Sequence, residues 1–404
     1  MSEPTDNTSQ RTAEAGFDPA NAVIPQLRTL TTSIIRSFDA ETSTIPGILK
    51  LTLGEPDFAT PQFIKDAAVD SLARNRTHYA PNAGTPGLRQ AISGYLARRR
   101  NLQYAPEDII VTEGASEAVS SALTALLHPG AALLYTVPGF GLYANMAKLT
   151  GADQIEIDTT GTGFVLTPEA LEDALRSVAG RDAVLVLNSP NNPTGVTYTA
   201  DQLRALADVV ERYDVTMLSD EVYAEISYET RPAPSIALFA PDRTVVVDST
   251  SKTYAMTGWR LGFLAAPHEL AGFIAKVHQI HVSTAAMFTM DAAQVAYEKG
   301  DESIDRMVAE YRRRRDFLVD GLTGLGYRTA NPTGSFFLYV AVPDGFDGSS
   351  FDYARLLARE AKVAGVPGEA FTSRPSRYFR FSYAASLDTL REAVARIAAF
   401  RDRA

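Results

Sequence analysis

Lysine is scarce in this chain, seven residues among 38 Lys and Arg, so a lysine in an unusual setting stands out. Lys252 is in such a setting. It follows the apolar run Thr244-Val245-Val246-Val247 in the stretch Asp248-Ser249-Thr250-Ser251-Lys252-Thr253, among hydroxyls and small residues. In an open α/β sheet ligands bind beyond the carboxyl ends of the strands, so an amine here faces a site. A lone lysine is ordinarily a solvated charge. Three further strand ends give this one company. The run Val215-Thr216-Met217-Leu218 leads into Ser219-Asp220-Glu221-Val222-Tyr223, an acid with a tyrosine three residues on. Residues 183–187 lead into Asn188-Ser189-Pro190-Asn191-Asn192-Pro193-Thr194-Gly195, a proline-stiffened turn that presents an amide, and residues 109–111 lead into Gly114-Ala115-Ser116, where small residues open a helix and leave N–H groups free for an anion. An amine for a Schiff base, a carboxylate for a ring nitrogen, donors for a ring hydroxyl and a phosphate cup are together what pyridoxal 5'-phosphate requires.

These residues need a scaffold that brings distant strand ends to one edge. From about residue 60 to 300 helical patterns alternate with short, continuously apolar runs, among them 109–111, 132–135, 183–187, 215–218, 244–247 and 262–265. Continuous rather than alternating apolar strands predict a mainly parallel sheet covered by helices on both faces. The expected fold is therefore α/β, a three-layer αβα large domain with a smaller α/β domain after it. Residues 1–30 are polar and read as a loose tail. An Arg-rich helix over 301–325, strands at 336–340 and 378–381, and helices over 351–364 and 387–401 make up the smaller unit. The expected division is an N-terminal arm at 1–45, a large domain at 46–300 and a small domain at 301–404 that packs with the N-terminal segment.

Composition removes several classes of function. Lys+Arg 38 against Asp+Glu 48 leaves a net charge of −10, which repels a phosphate backbone and argues against nucleic acid. Without cysteine there is no thiolate nucleophile and no Cys-ligated metal. The start Met1-Ser2-Glu3-Pro4 lacks a basic region followed by an apolar core, and no apolar run is long enough to cross a membrane, so a cytoplasmic protein is expected. No Walker-type Gly-x-x-x-x-Gly-Lys-Ser/Thr or His-Glu-x-x-His occurs, and Gly161-Thr162-Gly163 lacks the third glycine of a dinucleotide loop. The five histidines are scattered. His278 and His281, three apart, read as a solvated helix face, and no metal is assigned.

Taken in order, these motifs resemble the fold-type I pyridoxal-phosphate aminotransferases of class I/II, from about Ile34 to Arg401. The bacterial aromatic-amino-acid and aspartate branch is the most similar, through Ser33-Ile34-Ile35-Arg36-Ser37-Phe38, Leu51-Thr52-Leu53-Gly54-Glu55-Pro56, His78-Tyr79-Ala80-Pro81-Asn82-Ala83-Gly84 and Phe381-Ser382-Tyr383-Ala384. The resemblance implies that Lys252 is the Schiff-base lysine and proton shuttle, that Asp220 keeps the pyridine nitrogen protonated, and that Asn192 and Tyr223 hydrogen-bond the ring hydroxyl. It also implies that Ser249, Arg260 and the backbone of Ala115 and Ser116 form the phosphate cup, and that Phe140 stacks on the ring. Arg380 would clamp the substrate carboxylate as a bidentate fork. Gly54 would let the N-terminal segment approach the substrate, with Ile34 on the pocket wall. Tyr79 would reach the phosphate of a partner subunit, making the protein a homodimer that acts on L-amino acids and 2-oxo acids.

Two departures bear on the substrate. Ser116 stands where some aspartate-using relatives carry a lysine for the distal carboxylate, and 283–289 lacks the usual proline. Ile34, Ile35, Phe140, Met287 and Phe288 are apolar candidates for the pocket wall. Phenylalanine or tyrosine is thus expected to outrank aspartate as donor, with a specialised or basic amino acid as runner-up because Glu113 and Glu117 lie near the phosphate cup. The same cofactor also serves lyases, cyclases and oxidases, which shared motifs do not separate. A cofactor-sensing regulator is disfavoured, since the segment before Ile34 is too short for a helix-turn-helix.

Overall fold

The computed structural model describes residues 18–402, Thr31 excepted, so most of the expected tail lies outside the described residues. Its described part is partly ordered into the short 3₁₀ turns Pro19–Asn21 and Pro25–Thr29, each opened by a proline that presets φ.

Seven strands form the main sheet: β1 (Ile109–Thr112), β2 (Ala132–Val137), β3 (Asp153–Asp158), β4 (Ala183–Asn188), β5 (Thr216–Asp220), β6 (Thr244–Ser249) and β7 (Gly262–Ala265). Their spatial order is β1-β7-β6-β5-β4-β2-β3. The pairs from β6 across to β3 are parallel, and β7 runs antiparallel to both of its neighbours. Six strands therefore point the same way. β3 is absent from the apolar runs because it reads Asp153-Gln154-Ile155-Glu156-Ile157-Asp158, the charged pattern of an edge strand.

The apolar runs are continuous because alternate residues enter different cores. Leu133, Tyr135, Val184, Val186, Leu218 and Val245 pack under the helices Ala115–Leu126, Leu142–Thr150 and His268–His281. Leu134, Leu185, Leu187 and Met217 pack on the opposite face under Pro168–Ser177 and Ala200–Arg212. That is the expected αβα sandwich. The helix Ala200–Arg212 starts on a capping box between Thr199 and Gln202 and buries Leu203, Leu206, Ala207 and Val210, one apolar face at helical spacing. Each such leucine stabilises the fold by about 1.5–3 kcal/mol, and Leu185→Ala at a fully buried position costs about 2–5 kcal/mol.

After the long helix Asp301–Gly324, an antiparallel three-stranded sheet is ordered Val366–Pro367, Tyr378–Ser382, Phe337–Ala341, flanked by the helices Ser350–Glu360 and Leu387–Arg401. The expected helix over 351–364 stops at Glu360, and Val363–Ala364 pairs parallel with Leu49–Lys50. The first residues after the arm are thereby tied to the C-terminal part. The helix Ile34–Ser43, capped by Ser33, lies against the same part through Phe38 on Phe351 and a bidentate Arg355–Glu41 pair. Among the described residues no helix is long and apolar enough to cross a membrane.

Candidate active site

Because six strands are co-directional, Thr112, Asn188, Asp220 and Ser249 end at one edge. The antiparallel β7 begins there, with Gly262 opposite both Thr112 and Ser249, so Arg260 arrives at the same edge. Every residue to which the resemblance assigns a role, Tyr79 excepted, lines one cavity of about 680 Å³ at this edge. Tyr79 stands outside it, 89% exposed.

Lys252 lies in the single-turn helix Thr250–Thr253 directly after β6, and its Nζ donates to the main-chain carbonyl of Gly54 at 2.6 Å. Burial, together with the Arg260 and Arg380 charges, outweighs Glu55 and Asp220 and lowers its pKa to about 8. A large fraction of this amine is therefore unprotonated and nucleophilic under mildly alkaline conditions. Asp220 is the last residue of β5, two positions further inside the sheet edge than the apolar run alone suggests. Its Oδ2 accepts from the Tyr143 hydroxyl at 2.6 Å and its Oδ1 from the Val222 N–H at 3.4 Å. Burial raises its pKa to about 6 against the lowering effect of Tyr143.

The opposite wall is built by the C-terminal part. Arg380, 2% exposed on the central strand of the small sheet, donates from Nη1 to Asn192 Oδ1 and from Nη2 to the Thr52 carbonyl, both at 2.7 Å. The guanidinium lies 4.2 Å from the Phe337 ring and 4.9 Å from the Phe371 ring, and its Nε is buried without a partner. Burial lowers its pKa to about 10. Asn192 is held by its own N–H on Asn188 Oδ1 at 2.8 Å, which fixes the turn after β4. Tyr223 is wedged edge-on between Phe336 and Phe337, and burial raises its pKa.

The cup forms where β1 turns into the helix Ala115–Leu126. Gly114 there has φ 79° and no side chain caps the first turn, so the N–H groups of Ala115 and Ser116 open on the cavity. The φ of Gly114 is one that L side chains rarely adopt, and without a Cβ it lets Arg260 come close, since a Cβ there would stand 2.5 Å from Arg260 Nη2. Arg260 itself donates to the Thr257 carbonyl at 2.8 Å. Ser249 closes this side, and Phe140 leads into the helix that carries Tyr143.

Several expectations need correction. His278 is 0% exposed, so the His278/His281 spacing does not mark a solvated face. Glu117 is engaged by His278, Ser121 and the Glu113 N–H, and neither Glu113 nor Glu117 lines the cavity, which removes the reason given for a basic donor. Met287 and Phe288 open the helix Met287–Lys299 and pack against the core; they do not line the cavity. The sequence reading also missed Tyr143, Thr52 and Phe371, and the cavity-lining Arg36, Lys148, Glu156 and Glu369. No spacing signal announces them, since Tyr143 meets Asp220 across 77 residues and Arg380 meets Thr52 across 328.

Residues 46–397 match the family model of the aminotransferases of class I and II. The chain belongs to that family. It is an enzyme that transfers amino groups. It is 38% identical over 377 residues to a probable N-acetyl-LL-diaminopimelate aminotransferase of Bacillus subtilis, covering 93% of this chain and 95% of that one. It is 34% identical to aromatic-amino-acid aminotransferase 2 of Thermococcus litoralis, over 93% of this chain and 97% of that one. The solved aspartate aminotransferase of Rhizobium meliloti superposes with a TM-score of 0.89 at 32% identity, over 96% of this chain and all of that one. The aminotransferase fold and the expected reaction class thus agree, and lyase, cyclase and oxidase readings are not favoured.

Proposed function

We propose that this aminotransferase works with pyridoxal 5'-phosphate and carries an amino group from a broad range of L-amino acids, aromatic ones ahead of aspartate, to a 2-oxo acid in a ping-pong cycle. The observation that carries this reading is that a half-buried amine and a buried guanidinium with an unpartnered Nε line the same cavity. The fit to the cofactor rests on the uncapped first turn at Ala115 and Ser116, the close approach of Arg260 to Gly114, and the acid Asp220, which has an acceptor position to spare. When bound, pyridoxal phosphate supplies an aldehyde carbon for amines and a ring that spreads negative charge from the substrate Cα.

The chain's own residues supply the rest. Lys252 would hold the cofactor's aldehyde carbon through its amine and would move a proton from the substrate Cα. Asp220 holds a proton on the ring nitrogen, which keeps the ring electron-withdrawing, and Tyr143 holds Asp220. Asn192 and Tyr223 orient the ring hydroxyl, Phe140 stacks on the ring face, and Ser249, Arg260, Ala115 and Ser116 grip the phosphate. Arg380 anchors the substrate carboxylate, with Gly54 and Ile34 shaping its approach. In this reading residues 46–300 carry the phosphate and ring, and residues from 301 bring Arg380. A homodimer completes it, with Tyr79 serving the partner's phosphate; the exposure of that tyrosine outside its own cavity supports this.

Ile34, Ile35, Phe140 and Phe371 support an aromatic donor, and burying such a side chain gains about 25 cal/mol per Å². Arg36 and Lys148 also line the cavity and supply positive charge for a dicarboxylate acceptor. A second reading, a specialised donor with a long polar side chain, has the support of Glu156 and Glu369 and of the N-acetyl-LL-diaminopimelate aminotransferase relative. The test is a donor screen that follows the cofactor's absorbance. Without an acceptor the reaction is expected to stop after one turnover per site and to resume with 2-oxoglutarate. Sustained turnover without acceptor overturns transamination, and a roughly tenfold lead of aspartate in kcat/KM over phenylalanine overturns the donor assignment.

A further inference from the structure

His278 sits inside the helix His268–His281 with both ring nitrogens facing acceptors. Nδ1 is 3.2 Å from each carboxylate oxygen of Glu117, and Nε2 is 2.9 Å from the main-chain carbonyl of Asn82. A carbonyl oxygen cannot donate, so Nε2 carries a proton. Glu117 already accepts from the Ser121 hydroxyl at 2.5 Å and from the Glu113 N–H at 3.2 Å, as a carboxylate does, so Nδ1 carries the other. A neutral imidazole has a single donor nitrogen, and two donors make an imidazolium.

Both ends of this tie lead towards phosphate. Glu117 lies in the first turn of the helix Ala115–Leu126 and braces Glu113, whose carbonyl accepts from Arg260 Nη2 at 3.5 Å. Asn82 belongs to the loop 79–84 that presents Tyr79, and its side chain also donates to the Ser283 carbonyl. Resting on the cofactor reading above, we propose that His278 is a doubly protonated positioning residue that fixes the turn 113–116 against the loop 79–84, so that one buried imidazolium sets how tightly phosphate is gripped. Burial opposes the charge, but Glu117, the Asn82 carbonyl and Glu113 outweigh it and hold the pKa above the ordinary histidine value. His281 on the same helix faces Ser121: that hydroxyl donates to Glu117 and accepts from His281 Nδ1 at 3.0 Å.

The test separates phosphate grip from general stability. Pyridoxal phosphate and unphosphorylated pyridoxal are titrated into apoprotein, wild type, His278→Gln and Glu117→Gln, well below the unfolding temperature. Charge-assisted bonds of this kind carry roughly a tenfold effect, so both variants are expected to bind pyridoxal phosphate about tenfold more weakly and pyridoxal about as before. Nitrogen NMR of the wild-type imidazole, which does not depend on a variant's folding, is expected to show two protonated ring nitrogens at neutral pH. Equal losses for both compounds, an intact phosphate preference in both variants, or a neutral ring overturns the proposal. Wild-type protein without any preference for the phosphorylated compound overturns the cofactor reading, and this proposal with it.

Discussion

Arg380 spends two of its guanidinium nitrogens on neutral oxygens, Asn192 Oδ1 and the Thr52 carbonyl, at 2.7 Å each, and keeps a buried Nε unbonded. A buried cation with no carboxylate partner is costly, and an arriving anion offsets that cost. Arg380→Lys keeps the charge but loses the fork, and a bond to a charged group contributes about 1.5–3 kcal/mol. Steady-state kinetics is therefore expected to give kcat/KM for amino acids about 10- to 150-fold lower, mostly through KM. An unchanged KM would mean that the substrate carboxylate is bound elsewhere.

Lys252 makes a prediction about the apoprotein. Its folded pKa of about 8 lies below the ordinary lysine value of 10.5, so the unfolded chain binds the extra proton between those limits. The sign follows: stability rises as pH rises through this window, and is lost as pH falls through about 8. The gain is at most about 3 kcal/mol. Urea melts of wild type and Lys252→Met, compared from pH 7 to 10, are expected to diverge in that direction. Lys252→Ala is also expected to abolish turnover while cofactor binding persists, because the phosphate cup does not need the amine.

The Tyr143 hydroxyl donates to Asp220 at 2.6 Å and so favours the ionised acid. Tyr143→Phe is expected to push the Asp220 pKa above about 6 and to move the acidic limb of the first half-reaction to higher pH. Asp220→Ala is expected to slow Cα–H exchange, followed by deuterium incorporation, by about 10²-fold or more. Undiminished exchange in Asp220→Ala would leave that carboxylate a structural role only.

Tyr79 supplies a complementation test. Mixing Lys252→Ala subunits with Tyr79→Ala subunits is expected to restore one intact site per heterodimer and to raise activity above both parents. Subunit exchange verified by mass spectrometry, with no such rise, counts against shared sites.

The main sheet and most of the cavity wall are legible in the sequence because both rest on local signals. Apolar runs mark buried strands, and the residue types just past them mark the functional edge. Lys252, Asp220, Asn192 and the Gly114-Ala115-Ser116 turn are all readable in this way. What escapes is whatever depends on a distant partner. Nothing near Tyr143 reveals that its hydroxyl meets Asp220, and the spacing of His278 fits a wet helix face as well as the buried contact it makes with Glu117. The edge strand β3 escapes for a different reason, since an edge tolerates charge and so loses its apolar signature.

The Arg380–Thr52 bond also dictates when the enzyme becomes whole. Its partners are 328 residues apart, and the Leu49–Lys50 strand likewise waits for Val363–Ala364. A chain still emerging from the ribosome already holds Lys252, Asp220 and the Gly114-Ala115-Ser116 turn, yet lacks Arg380. On the proposed cofactor reading, nascent protein is accordingly expected to bind cofactor before it can discriminate substrate.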